Sequence, residues 1–168
     1  MGKVSTDLLF HWARGMGINI VFSTLRLGNL GVADAAKNII VLDVSLRSNP
    51  RLLRCVLAHE LGHILFPPRP GHIRYHSTNF IDANDGINSI KVIVGQDERM
   101  AQDWSTGILM PDAEFNRVIE TGNYSINEIA EMFEVEPRFV LQKIGYYRRK
   151  EESAGRMVPK WRDLIRRD

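Results

Sequence analysis

Apolar and polar positions follow two different periods along this chain, and the change of period divides it. Residues 7–16 place Leu8, Leu9 and Trp12 at helical spacing and then meet Gly15 and Gly17, which predicts a short amphipathic helix. Residues 18–22 and 38–44 are β-branched, apolar runs bounded by turn residues and predict strands. Between them, residues 28–36 are rich in glycine and small side chains and predict a short third strand. Together these segments predict a small, mostly antiparallel sheet near the N-terminus.

The period then lengthens. Asn49 is a good N-cap, and Pro50 follows at the first helical position, where its missing N–H costs nothing. Leu52, Leu53, Val56, Leu57, Leu61, Ile64 and Leu65 recur every three or four residues until Pro67 and Pro68 end the helix. Residues 67–95 have no sustained helical period and many Gly, Pro, Asn and Asp residues. A connection of that length inside a compact domain reads as a functional loop or an insertion, here with residues 90–94 as a strand within it. Further helices are expected over residues 96–110 and 111–120. After Gly122, Ser125 and Glu128 form a capping-box pair, and Ile126, Ile129, Met132 and Phe133 make an apolar stripe. Residues 134–136 separate that stripe from another helix over residues 137–147, a helix-turn-helix-like pair. Residues 161–165 suggest a last, basic helix. The whole reads as an α+β chain in three parts: a core over residues 1–121, the helical pair over 122–150 packed on it, and a basic tail over 151–168.

Composition narrows the class. At 168 residues, 44% hydrophobic and 25% charged, the chain reads as one soluble globular domain, or one with a small appendage. No apolar run approaches the roughly 18 to 20 residues of a membrane span, so no membrane partner is expected. Cys55 is the single cysteine, which rules out an internal disulfide and fits a reducing, cytoplasmic compartment. Residues 137–168 carry 10 Lys/Arg against 4 Asp/Glu, and the rest 12 against 16. This acidic body with a basic end leaves room for a weak nucleic-acid contact through the C-terminus, beside the simpler reading of a solvated helix surface.

The chemistry sits in the best-marked helix. His59-Glu60-Leu61-Gly62-His63 is an H-E-x-x-H motif, expected by chance in about one protein of this size in a few hundred. Positions four apart on a helix lie about 40° and one turn apart, so both imidazoles project from the same side and can share one zinc ion. Glu60 flanks them closely enough to take a proton from an attacking water. A third protein ligand is needed, and His72, His76, Asp82, Asp85, Asp97, Glu98 and Asp103 lie downstream. The metzincin arrangement is excluded, because Phe66 and Arg69 stand where its glycine and third histidine belong. Glu98 is the preferred choice. It opens a helix and has Ala101, Gln102 and Ser105 on its own face, small and polar side chains that let the two helices approach. An acid in a first turn also complements the helix macrodipole, which is the plainer account of it. Gln102 is placed to hold a ligand histidine by its outer nitrogen. His72, Tyr75 and His76 are candidates to donate a hydrogen bond to a developing oxyanion.

The segment from Glu98 to Pro111, with Ala101 three residues on, Trp104, and a closing Leu109-Met110-Pro111, resembles the second signature of the ImmA/IrrE metallopeptidases. The resemblance extends over most of residues 15–145. It departs at Gln102, where the family usually has asparagine, at Trp104, where it has phenylalanine, and in the longer stretch over residues 67–95. The resemblance implies a zincin-like fold, one Zn2+ held by His59, His63 and Glu98, and Glu60 as catalyst. It also implies a regulatory role in a phage, mobile element or stress system, with a helix-turn-helix repressor as protein substrate. Two alternatives stay open: a DNA- or protein-binding transcriptional regulator that keeps a zinc site for structure, and a toxin–antitoxin component.

Overall fold

The computed structural model describes residues 4–26, 28–67, 74–77, 89–156 and 165; of residues 74–77 and 89–96 it describes the backbone path. The fold is α+β. Val4–Ser105 forms one compact unit, and the residues from Thr106 onward belong to a second.

The first unit opens with helix α1 (Thr6–Gly15), whose N-cap Ser5 accepts a hydrogen bond from the Leu8 amide. Leu9 and Ala13 are its buried residues and Leu8 is exposed, so the inner stripe lies one position on from Leu8. Strands β1 (Asn19–Ser23), β2 (Asn29–Asp34) and β3 (Ile39–Asp43) follow. Strand β1 runs parallel to β3, and β2 pairs antiparallel with β3 across a turn whose Asn38 takes the left-handed conformation, φ 50°. A fourth strand, β4 (Arg74–Ser77), pairs antiparallel with β2 and completes the order β1-β3-β2-β4. The sheet is mostly antiparallel, as the sequence pattern implies. Residues 74–77 are therefore sheet and not loop.

Helix α2 (Pro50–Leu65) is capped by the Asn49 side chain, which accepts from the Leu52 amide. It packs against α1, β2 and β3. Every residue from Arg54 to His63 is buried, so this is a central helix rather than a surface one, and its polar residues are held inside the fold. Helix α3 (Ser89–Leu109) starts seven residues before the expected 96, so residues 90–94 are helical and not a strand. Their β-branched run carries a helix penalty of only a few tenths of a kcal/mol per residue, and Gly95 adds about 1 kcal/mol. Extending an existing helix avoids the costly nucleation step, so the segment from Gln96 onward propagates through them.

In the second unit, α4 (Asp112–Thr121) ends at Gly122, φ 63°. Helix α5 (Ile126–Phe133) carries both halves of the Ser125–Glu128 capping box. A turn with Glu134 in the left-handed conformation leads into α6 (Pro137–Ser153), which packs on α5. Helix α6 runs beyond the expected 147 and takes in the first residues of the stretch read as a tail. Phe115, Ile119, Ile129, Phe133, Val140 and Ile144 form the core here, with Ile165 also buried. The last helix expected over residues 161–165 lies, Ile165 excepted, outside the described residues. Among the described residues, no helix is long and apolar enough to cross a membrane.

Candidate metal centre

One turn of α2 separates His59 from His63, and both side chains are buried. Their Nε2 atoms lie 3.1 Å apart, with the rings nearly perpendicular at 89°. Helix α3 supplies the third group. Glu98 Oε1 lies 3.0 Å from His59 Nε2, and Oε2 lies 3.3 Å from His63 Nε2. Two donors about 2.0–2.1 Å from a tetrahedral zinc stand about 3.3 Å apart, so this triangle has the dimensions of one face of such a shell. Two imidazoles and a carboxylate are also the donor chemistry of catalytic zinc rather than of calcium or magnesium. Among the described residues, no other trio of His, Cys, Asp or Glu side chains converges in this way.

Glu60 sits beside that triangle with no exposed surface. Neither carboxylate oxygen has a hydrogen-bond partner among the described residues. Burial, and then the negative charge of Glu98, push its carboxyl well above the usual carboxylate range. A buried, unbonded carboxyl is costly to hold, and such groups cluster at functional sites.

The helices meet closely enough for this geometry because both contact positions are small. A Cβ added at Gly62 would lie 2.9 Å from the Cα and the carbonyl oxygen of Ala101, so no side chain fits between the backbones there.

Residues 13–144 match the family model described as Peptidase_M78, IrrE N-terminal-like domain. The chain belongs to that family. No curated protein matches it significantly. The matched span includes β1, the whole of α2 and α3, and thus His59, Glu60, His63 and Glu98.

Within this IrrE N-terminal-like chain the remaining sequence candidates separate. Gln102 donates to Glu98 Oε1 at 3.2 Å, so its amide orients the glutamate one turn before it and not a histidine. Glu98 lies well inside α3 rather than at its start, which removes the macrodipole account of it. Asp97 and Asp103 do not join the triangle, and His72, Asp82 and Asp85 lie outside the described residues. Tyr75 and His76 belong to β4, where backbone register sets them opposite Val32 and Gly31 of β2. Gly31 itself escaped the sequence reading. A glycine inside a strand signals a close approach, but only the fold says to what.

Proposed function

We propose that this chain is a zinc-dependent peptidase acting at one site in a regulatory protein, a helix-turn-helix repressor of a phage, mobile element or stress system. The observation that carries the reading is Glu60, buried beside three converging donors. A structural zinc site closes on four protein ligands and has no use for a carboxylate beside three. In this reading His59, His63 and Glu98 hold the ion, and Gln102 fixes the orientation of Glu98. Zinc, when bound, supplies a Lewis acid that polarises a peptide carbonyl and lowers the pKa of water towards 7. A cation held there would favour the ionised form of Glu60 against the burial and the Glu98 charge that raise its carboxyl, leaving it able to accept a proton. The Glu60 carboxylate takes the proton of the attacking water and returns it to the leaving amine.

The choice of a repressor as substrate rests on the likeness of the segment from Glu98 to Pro111 to the ImmA/IrrE signature. Its test is incubation of the zinc-loaded protein with a helix-turn-helix repressor from the same genome, a product of a neighbouring gene where there is one, read by mass spectrometry. A single pair of complementary fragments, suppressed by a chelator, is the expected result. An intact repressor in the presence of tightly bound zinc would favour the regulator reading, in which the metal serves structure.

A further inference from the structure

Gly31 lies in β2 directly over Glu60. A Cβ at this position would stand 2.5 Å from Glu60 Oε1 and 2.8 Å from its Cγ and Cδ, far inside the roughly 3.5–4.0 Å of an ordinary contact. Gly31 is not among the residues with positive φ, so its backbone would accept an alanine. What excludes a side chain is the Glu60 carboxyl group. The strand is irregular at the same point: Asn29 faces Ser77 and Gly31 faces His76, which leaves Leu30 as an extra residue on β2. Such bulges bend a strand locally and re-aim what lies beside it. Glu60, for its part, has no hydrogen bond among the described residues to fix its carboxylate. Its location is set by the walls around it.

We propose that Gly31 is a positioning residue for Glu60: the bare backbone of β2 at the bulge is the wall that sets where the carboxylate lies. The proposal rests on the reading of Glu60 as the proton acceptor. A methyl group at 31 meets side-chain atoms of Glu60, from Cγ to Oε1, rather than backbone, so the Glu60 side chain is what gives way. A displacement of about 1 Å in a catalytic group is enough to cost about 100-fold in rate.

The test compares four zinc-loaded proteins: wild type, Gly31→Ala, Glu60→Ala and the double variant. Gly31→Ala is expected to lower Tm by several degrees, because its methyl strikes the Cγ, Cδ and Oε1 atoms of Glu60. In the Glu60→Ala background those atoms are gone, and the same replacement is expected to leave Tm unchanged or raise it. Zinc affinity should stay within about threefold of wild type, since His59, His63 and Glu98 are untouched. In repressor cleavage, Gly31→Ala should lose about 10- to 100-fold in kcat with KM within about twofold, the signature of a misplaced reacting group rather than lost binding. Equal Tm shifts in the two backgrounds would overturn the proposal, as would an unchanged kcat. A double variant that fails to fold would also overturn it, because Gly31 would then be required for something other than Glu60. Coupled Tm shifts in a wild-type protein that cleaves nothing would uphold the contact and remove the peptidase reading, so the two failures are distinguishable.

Discussion

Gly62 and Ala101 touch backbone to backbone, and their contact sets the span across which Glu98 reaches His59 and His63. Glu98 lies three residues before Ala101 on α3, and His63 follows Gly62 on α2, so the crossing point and the donor triangle are adjacent on both helices. Replacing Gly62 by alanine puts a methyl group 2.9 Å from main-chain atoms that no rotamer change can move aside. The helices must then separate by a few tenths of an ångström or more. Gly62→Ala is expected to weaken zinc binding about 10-fold or more and to destabilise the protein by about 1–3 kcal/mol, as overpacking typically does. Competition with a chromophoric chelator and thermal melts measure the two. Unchanged zinc affinity would mean that the approach at Ala101 does not govern the donor triangle.

In the proposed donor set, Glu98 and Gln102 separate a ligand from its support. Changing a residue that orients a ligand typically costs 10- to 100-fold in metal affinity, and Gln102→Ala is expected to fall in that range. Glu98→Ala removes a donor and should lose more than about 100-fold. Isothermal titration with zinc after chelation distinguishes them. If Glu98→Ala binds zinc as tightly as wild type, the donor set is wrong.

The sequence made α2 legible, because its cap, its stop signal and the H-E-x-x-H spacing all act within one helix. Glu98 was legible only as the best of several acids, since its distance from the histidines depends on where α3 crosses α2. The small residue at Ala101 hinted at that crossing, but its partner Gly62 sat unread inside the motif itself. Residues 90–94 misled because β-branched residues favour strands only weakly, and an adjoining strong helix overrides them. Strand β4 was hidden for a different reason. Four residues bounded by irregular chain carry too short a period to read, and their pairing with β2 is a long-range event. Gly31 shows the same limit: the sequence marks a close approach, and the fold alone names Glu60 as what approaches.

In the second unit, Asp112 accepts hydrogen bonds from Lys143 Nζ at 2.5 Å and Lys150 Nζ at 2.6 Å. Lys143 is almost wholly buried and lies near the rings of Phe115 and Tyr146. Partial burial alone would raise the Asp112 carboxyl, but the two lysines outweigh it and hold it below the usual carboxylate range. A lowered folded-state pKa means that the carboxylate contributes stability above the unfolded value of about 3.9, and that this is lost as pH falls through the folded value. Asp112→Asn is therefore expected to lower stability at pH 7, by about 1–2 kcal/mol. That is less than a fully buried pair would cost, because the Asp112 side chain is 36% exposed. The gap in Tm between the two proteins should be constant from pH 7 to about 5 and close below about pH 4. A gap that did not narrow at all on acidification would show that the contribution is packing rather than charge.

Glu60→Gln isolates the proposed proton acceptor from everything else in the centre. The amide is nearly isosteric with the carboxylate, so it fits the space beneath Gly31 that a larger group would not. His59, His63 and Glu98 keep their positions, so zinc content measured by atomic absorption should match that of the wild-type protein. An amide cannot accept the proton of the attacking water, so in the proposed reaction cleavage of a repressor substrate should fall about 100- to 10,000-fold, the usual contribution of a general base. Substrate affinity should hardly change, because the loss falls on the transition state alone. Retained cleavage with zinc in place would transfer the role to another group. Register sets Tyr75 and His76 on the strand beside β2, and single replacements there would then identify it.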